Sequence, residues 1–269
     1  MKHAMISIIC LGDLLVFLHC TRPNSPVPDK KLSFSLSLRE SSGQQLSLSW
    51  VDSMNLRIFH KNDSLHFKLP FEGASADTRL SIPSATPVRF LADAYKDSRV
   101  IMQGDTTITA GSGEKIDLNL SLEFVTPAVI LTPSTQDVQA GDSVNFDVAV
   151  RAMQNKFYKA VTRIEYDPNI LSFRSAEKDK EFLRQNAGDV TVQLTDTEGL
   201  LIHDVEITPR ASAVSGQGNL TTIRMQALRS GRVSVTISND PDVEEALGIY
   251  DRSDQLIPVV NLGCVVVVN

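Results

Sequence analysis

From Leu32 onward the apolar side chains fall on every second position: Leu32, Phe34, Leu36 and Leu38, then Leu46, Leu48 and Trp50, then Leu65, Phe67 and Leu69. A period of two places alternate side chains on one face of a strand. Ser33, Ser35 and Ser37 take the opposite face, the pattern of a sheet with one dry and one wet side. The alternation continues through Val88-Arg89-Phe90-Leu91-Ala92 and from Ile116 to Leu122, with Ala110-Gly111-Ser112-Gly113 as the turn between the later strands. No segment keeps a helical apolar stripe through several turns, so the pattern predicts an all-β chain.

Thr126-Pro127 reads as a hinge, after which strands restart at Val129-Ile130-Leu131. The run from Thr132 to Val150 reads as a strand, a Gly141-Asp142 turn and a second strand. Further on comes Ile164-Glu165-Tyr166-Asp167-Pro168-Asn169-Ile170-Leu171, where Pro168 fixes its own φ and pushes Asp167 into an extended conformation, so the chain turns sharply. Gly216-Gln217-Gly218-Asn219-Leu220 opens a strand that leads through Ser230-Gly231 into Val233-Ser234-Val235, and the chain closes on Val265 to Val268. At roughly 100–150 residues per domain, the 269 residues suggest two domains, placed at 31–125 and 128–269. Both are expected to be β-sandwiches.

Counting back from Tyr166, alternation turns Ile164, Thr162 and Ala160 inward and leaves Lys159, Val161, Arg163 and Glu165 facing out. Between Leu200 and Thr208, Asp204 and Glu206 share one face while Val205 and Ile207 share the other. If the acidic face joins the same sheet, acids and bases interleave across it, which suits a transient protein contact; the same pattern also fits plain solvated strands.

The beginning of the chain reads differently. Lys2 and His3 precede an apolar run from Ala4 to Leu18, interrupted by Asp13. At ~1.5 Å per residue such a helix reaches about 22 Å, short of a bilayer core of about 30 Å. Residues 1–19 therefore read as a signal peptide. Residues 20–30, with Pro23, Pro26 and Pro28, make a semi-extended tether. The arrangement resembles a bacterial lipoprotein signal, which implies lipid attachment at Cys20, an anchor in the membrane and a place at the outer membrane or cell surface. His19 departs from the small residue of that pattern. Simple secretion and an uncleaved anchor are the alternatives.

Two further resemblances attach to the strand-rich part. The order Thr86-Pro87-Val88-Arg89-Phe90-Leu91-Ala92-Asp93-Ala94-Tyr95, Gln103-Gly104 and Ala110-Gly111 is similar to the immunoglobulin- or transthyretin-like sandwiches of exported lipoproteins. The later set resembles the cohesin family. It comprises the Gly141-Asp142 turn, the corner from Tyr166 to Leu171, the strand from Gly216 to Ile223, the hairpin at Gly231 and the Val-rich last strand. That resemblance implies a nine-stranded jelly roll that holds a dockerin module on one flat sheet, usually to assemble polysaccharide-degrading enzymes. It places the strand of Lys159, Val161, Arg163 and Glu165 on that sheet, with Asp204 and Glu206 as further partner-binding candidates.

The net charge of −6, from 26 basic and 32 acidic residues without a Lys/Arg-rich run, argues against a nucleic-acid partner. Cys10 and Cys20 lie near the start and Cys264 is alone near the end, so the folded body closes no internal disulfide and builds no Cys-ligated metal cluster. His60, His66 and His203 lack the spacing of a metal site on one element. There is no Gly-x-Ser-x-Gly elbow and no phosphate-cradling loop before a helix. The acids Asp240, Asp242, Glu244, Glu245, Asp251 and Asp254 read as a solvated loop. Calcium binding is their alternative; any calcium is otherwise expected on the partner, because EF-hand spacing, and with it a dockerin, is absent here. The expectation is a non-catalytic binding module without a cofactor. Carbohydrate binding through exposed aromatics such as Trp50 and a purely structural envelope role are the other readings.

Overall fold

Most of the alternating sequence becomes strand in the computed structural model, which describes residues 31–40, 50–60, 63–69, 75–81, 87–109, 116–179, 181–183, 188–242 and 246–269; of the run Leu46, Leu48 and Trp50, the first two lie outside the described residues and Trp50 stands in a 3-10 turn. Among the described residues helical conformation is limited to short 3-10 turns, at Trp50, at Leu183 and at Arg210–Ser212, so the chain is all-β. The signal segment, Cys20 and the tether lie outside the described residues, as does the Ala110-Gly111-Ser112-Gly113 turn.

The first seven strands are β1 (Lys31–Glu40), β2 (Ser53–His60), β3 (Asp63–Leu69), β4 (Ser75–Ser81), β5 (Pro87–Lys96), β6 (Arg99–Thr109) and β7 (Ile116–Phe124). They hydrogen-bond in the order β3-β2-β5-β6-β7-β1-β4, and all pairs are antiparallel except β1 with β7. Met54, Leu56 and Ile58 pair with Ala94, Ala92 and Phe90 across β2 and β5, and all six are buried. The intervening Asn55 and Arg57 of β2 and Asp93 and Tyr95 of β5 line the opposite face. Leu65 remains exposed because β3 is an edge strand, paired on one side only.

Eleven strands follow: β8 (Ala128–Thr132), β9 (Thr135–Val138), β10 (Ser143–Glu165), β11 (Leu171–Lys178), β12 (Asp189–Thr197), β13 (Leu200–Thr208), β14 (Val214–Ala227), β15 (Gly231–Ser238), β16 (Gly248–Asp251), β17 (Val260–Leu262) and β18 (Cys264–Val268). The 23-residue β10 belongs to two layers. Its first part pairs with β14 and β8, its last part with β13, β16 and β15, and the register shifts on either side of Met153 mark the change. Ala152 takes a positive φ of 51° at this bend, a conformation that bulged strands tolerate locally. One layer therefore runs β11-β14-β10-β8-β17 and the other β12-β13-β10-β15-β18-β9, with Val144, Phe146, Ile223 and Met225 of the first buried in one cluster with Ile164, Val205, Val235 and Val266 of the second.

The turns expected from sequence form as their residues dictate. Gly141 supplies a φ of 94° and the Asp142 carboxylate accepts the Gln139 N–H at 2.9 Å. At the Asp167-Pro168 corner the Asp167 carboxylate accepts from the backbone and side-chain nitrogens of Asn169, which holds its pKa below the ordinary range.

Thr126-Pro127, expected to be a hinge, is pinned. Val125 N–H donates to Ile101, the Thr126 hydroxyl to the Val100 carbonyl at 2.6 Å, and Val260 N–H to Pro127. The run Val129-Ile130-Leu131 is buried on both faces, as an uninterrupted apolar strand should be. Val129 and Leu131 enter the core of the eleven-stranded body, while Ala128 and Ile130 join Ala149, Val260 and Leu262 in the cluster of Trp50, Leu56 and Phe90. The N-terminal strands are thus packed onto the outer side of the β10-β8-β17 layer. Among the described residues, the paired segments Lys159–Glu165 and Leu200–Glu206 of the opposite layer take no part in that cluster, while Trp50 and Lys96 border Ser234 and Thr236 of β15.

Candidate interaction face

The candidate face is built on β10 and β13. Lys159 stands across from Glu206, Val161 from Asp204, Arg163 from Ile202 and Glu165 from Leu200. The alternate residues Ala160, Thr162 and Ile164 meet Val205, His203 and Leu201, and all six are buried. Alternation read from the sequence therefore identifies the inner face of both strands, and the conditional joining of acids and bases is realised. Lys159 Nζ lies 3.7 Å from Asp204 Oδ2, and Arg163 Nε donates to Glu165 Oε1 at 2.7 Å. Neighbouring strands continue the polar surface: Thr191, Gln193 and Thr195 of β12 are exposed opposite Glu206, Asp204 and Ile202, and Ser234 and Thr236 are exposed on β15.

Asp204 is the most strained charge on this face. Burial pushes its pKa up, Lys159 counteracts that, and Glu206 adds to the rise; Oδ1 is buried with no partner. A desolvated carboxylate oxygen without a hydrogen bond is costly.

Val161 corrects the expectation of an exposed apolar contact: only 3% of it is accessible. It lies where β10 exchanges β16 for β15 as its neighbour, opposite Gly248. The buried Asn239 side chain donates to the Val161 carbonyl at 2.6 Å and to the Thr162 hydroxyl at 2.8 Å. Elements far along the chain thus close around this position, which a one-strand reading does not see. Lys159, Arg163, Glu165, Asp204 and Glu206 remain at least partly accessible.

One group on this body escaped the sequence reading. The Tyr158 hydroxyl donates to Asp254, Arg210 bonds the other Asp254 oxygen, and the Arg210 guanidinium lies 4.4 Å over the Tyr158 ring. Burial, then the Asp254 bond, pushes the Tyr158 hydroxyl up to about 12. The contact ties the turn after β13 to the turn after β16. Its members are 44 to 96 positions apart, so no local spacing signals it.

The remaining acids are used locally. Asp251 accepts the backbone N–H groups of Ser253 and Gln255, and Asp240 accepts that of Asp242. Glu244 and Glu245 lie outside the described residues. Among the described residues no three His, Cys, Asp or Glu side chains are gathered as a metal site. His60 closes β2 and His66 stands opposite Arg57, while His203 is wholly buried with Nε2 2.7 Å from the Thr221 hydroxyl. Trp50, weighed as a sugar-stacking aromatic, is buried, with its indole N–H donating to the Gly263 carbonyl at 2.5 Å. It cannot present a ring face to a sugar.

Cys264 is a buried free thiol pushed up to about 12 by burial. A thiol reagent at neutral pH should leave it unmodified in the native chain and label it once denaturant is added, as read by peptide mapping. Rapid native labelling would contradict the packing of β18.

Comparison with known proteins adds one family. Residues 128–254 match the family model of the cohesin domain. Among solved structures, the cohesin CaCohA2 of Clostridium acetobutylicum is 18% identical, with 54% of this chain and 92% of that one covered at a TM-score of 0.43. A non-cellulosomal cohesin from Archaeoglobus fulgidus is 12% identical, covering 54% and 91% at 0.43. A type I cohesin–dockerin complex from Clostridium thermocellum is 13% identical, covering 54% and 99% at 0.43. No curated protein matches the chain.

Proposed function

We propose that this protein is a non-catalytic binding lipoprotein whose C-terminal sandwich docks a dockerin-type protein on the β13-β10 face. The observation that carries the reading is the interleaving of Lys159, Arg163, Glu165, Asp204 and Glu206 across one register, on segments that take no part in the cluster packed against the N-terminal strands. The cohesin-family match over residues 128–254 supports the class of partner. Charges of both signs on such a face favour selection and orientation of a partner over raw affinity. We further read the N-terminal strands as an immunoglobulin- or transthyretin-like stalk, carried by the tether from a lipid on Cys20 at the bacterial surface. The partner would bring polysaccharide-degrading activity to that surface, and calcium would belong to the partner.

Calorimetric titration of the full chain with a panel of dockerin modules, with calcium and with chelator, tests the docking. Calcium-dependent binding of at least one module is the expected result, and uniform non-binding would remove the proposal. Lys159→Glu sets a third acid beside Asp204 and Glu206 and should weaken binding roughly tenfold, about 1.4 kcal/mol, without unfolding the chain. Metabolic labelling with a fatty-acid analogue checks the anchor: label is expected on the wild type and none on Cys20→Ala.

A further inference from the structure

The seven-stranded body carries a cleft of about 610 Å³ that the docking face does not involve. It lies on the polar face of β3-β2-β5-β6. Lys68, Asn55, Asp93 and Gln103 form one rung across all four strands, and His66 and Arg57 form the next rung on β3 and β2. Tyr95, Val100 and Val125 add apolar surface.

Asp93 organises this floor. It is 2% exposed, and its two oxygens are both taken, Oδ2 by Arg57 at 2.6 Å and Oδ1 by the Gln103 amide nitrogen at 2.6 Å. A buried acid bonded on both oxygens is a fixed support for its two partners. Arg57 then has one carboxylate oxygen against the five N–H donors of a guanidinium, its Nε is buried without any partner, and a third of the side chain stays exposed. Gln103 gives its N–H to Asp93 and retains a carbonyl oxygen as an acceptor.

Lys68 and His66 stand beside Arg57, and among the described residues the only acid lining the cleft is Asp93. Two further acids stand outside the cleft: Asp105, ion-paired with Arg89 at 2.8 Å, and the exposed Glu123, opposite Gln103 on β7. Among the lining residues, Arg57 and Lys68 face the single carboxylate of Asp93, so positive charge is in excess there. Around it, Asn55, Gln103 and Tyr95 offer neutral groups that both donate and accept, and Thr126 an acceptor, the chemistry that matches hydroxyls. The volume falls in the range of small-ligand sites.

We propose that this cleft binds an acidic saccharide, with the carboxylate of a hexuronate unit on Arg57 and Lys68, its hydroxyls on Asn55 and Gln103 and its apolar ring face against Tyr95. A bidentate guanidinium–carboxylate contact supplies orientation as well as attraction. The site is independent of the partner docked by the C-terminal body.

The test is an NMR titration of the full chain with glucuronate and digalacturonate, set against glucose, galactose and acetate. Saturable shifts at Arg57, Gln103 and Tyr95 are expected with the uronates, with neutral sugars and acetate at least about tenfold weaker. Arg57→Gln should abolish binding, but it leaves Asp93 short of a partner and can weaken the fold. The exposed Lys68→Gln is the second variant, expected to fold normally and to bind the uronates about tenfold more weakly. Absence of shifts up to about 10 mM uronate, equal binding of neutral sugars or of acetate, or unchanged uronate binding in Lys68→Gln would each overturn the proposal.

Discussion

Replacing Trp50 with alanine is expected to destabilise the full chain by about 3–5 kcal/mol and to split one unfolding transition into two. Trp50 is 7% exposed at the junction, packed in one cluster with Leu56 and Phe90 on one side and Ala128, Ile130 and Leu262 on the other. Its ring stands 6.2 Å from that of Phe124 at the end of β7, and its N–H is bonded to Gly263 between β17 and β18. Truncation removes the largest side chain that joins the two bodies and leaves a polar carbonyl without its donor. Denaturant titration followed by tyrosine fluorescence and by circular dichroism reads the result. Coincident transitions with unchanged stability in Trp50→Ala would contradict a shared core.

Acid should weaken the C-terminal sandwich between pH 6.5 and about 4. His203 is wholly buried between the layers, and burial lowers its pKa from 6.5 to about 4. Among the described residues only the Thr221 hydroxyl bonds the ring, and Nδ1 is buried without a partner. In that window the unfolded chain binds a proton at His203 that the folded chain refuses, so stability falls as pH falls. Each pH unit is worth about 1.4 kcal/mol, so the loss approaches roughly 3 kcal/mol and then levels off below the folded pKa. His203→Gln should lower stability at neutral pH and flatten this slope. Equal slopes for the wild type and the variant, in denaturant midpoints taken from pH 7 to pH 4, would rule the histidine out as the cause.

What the sequence disclosed, and what it concealed, follows from how far each interaction reaches. The all-β class and the inward set of Ala160, Thr162 and Ile164 depend only on period two, which each strand carries in itself. The β13 limits were legible for the same reason, and the turns at Gly141-Asp142 and Asp167-Pro168 depend on the residues that form them. The burial of Val161 depends on where β16 and Asn239 arrive, more than 75 positions later. The pinning of Thr126-Pro127 depends on Val100, Ile101 and Val260, and the burial of Trp50 on a carbonyl 213 positions away. Pairing between β10 and β13 turned two separately amphipathic strands into one charged surface, and only the register shows that Lys159 meets Glu206 and that Asp204 is crowded. The Arg57-Asp93-Gln103 floor was invisible for the same reason, since its residues come from three strands.

The bound state offers the most direct measurement: hydrogen exchange of the full chain, alone and saturated with a dockerin module that it binds. Protection is expected over Lys159–Glu165 and Leu200–Thr208, with little change in β11, β14 and the N-terminal strands. Protection confined to β11 and β14, or to the seven-stranded body, would show that the partner sits elsewhere and that the β13-β10 face is merely solvated.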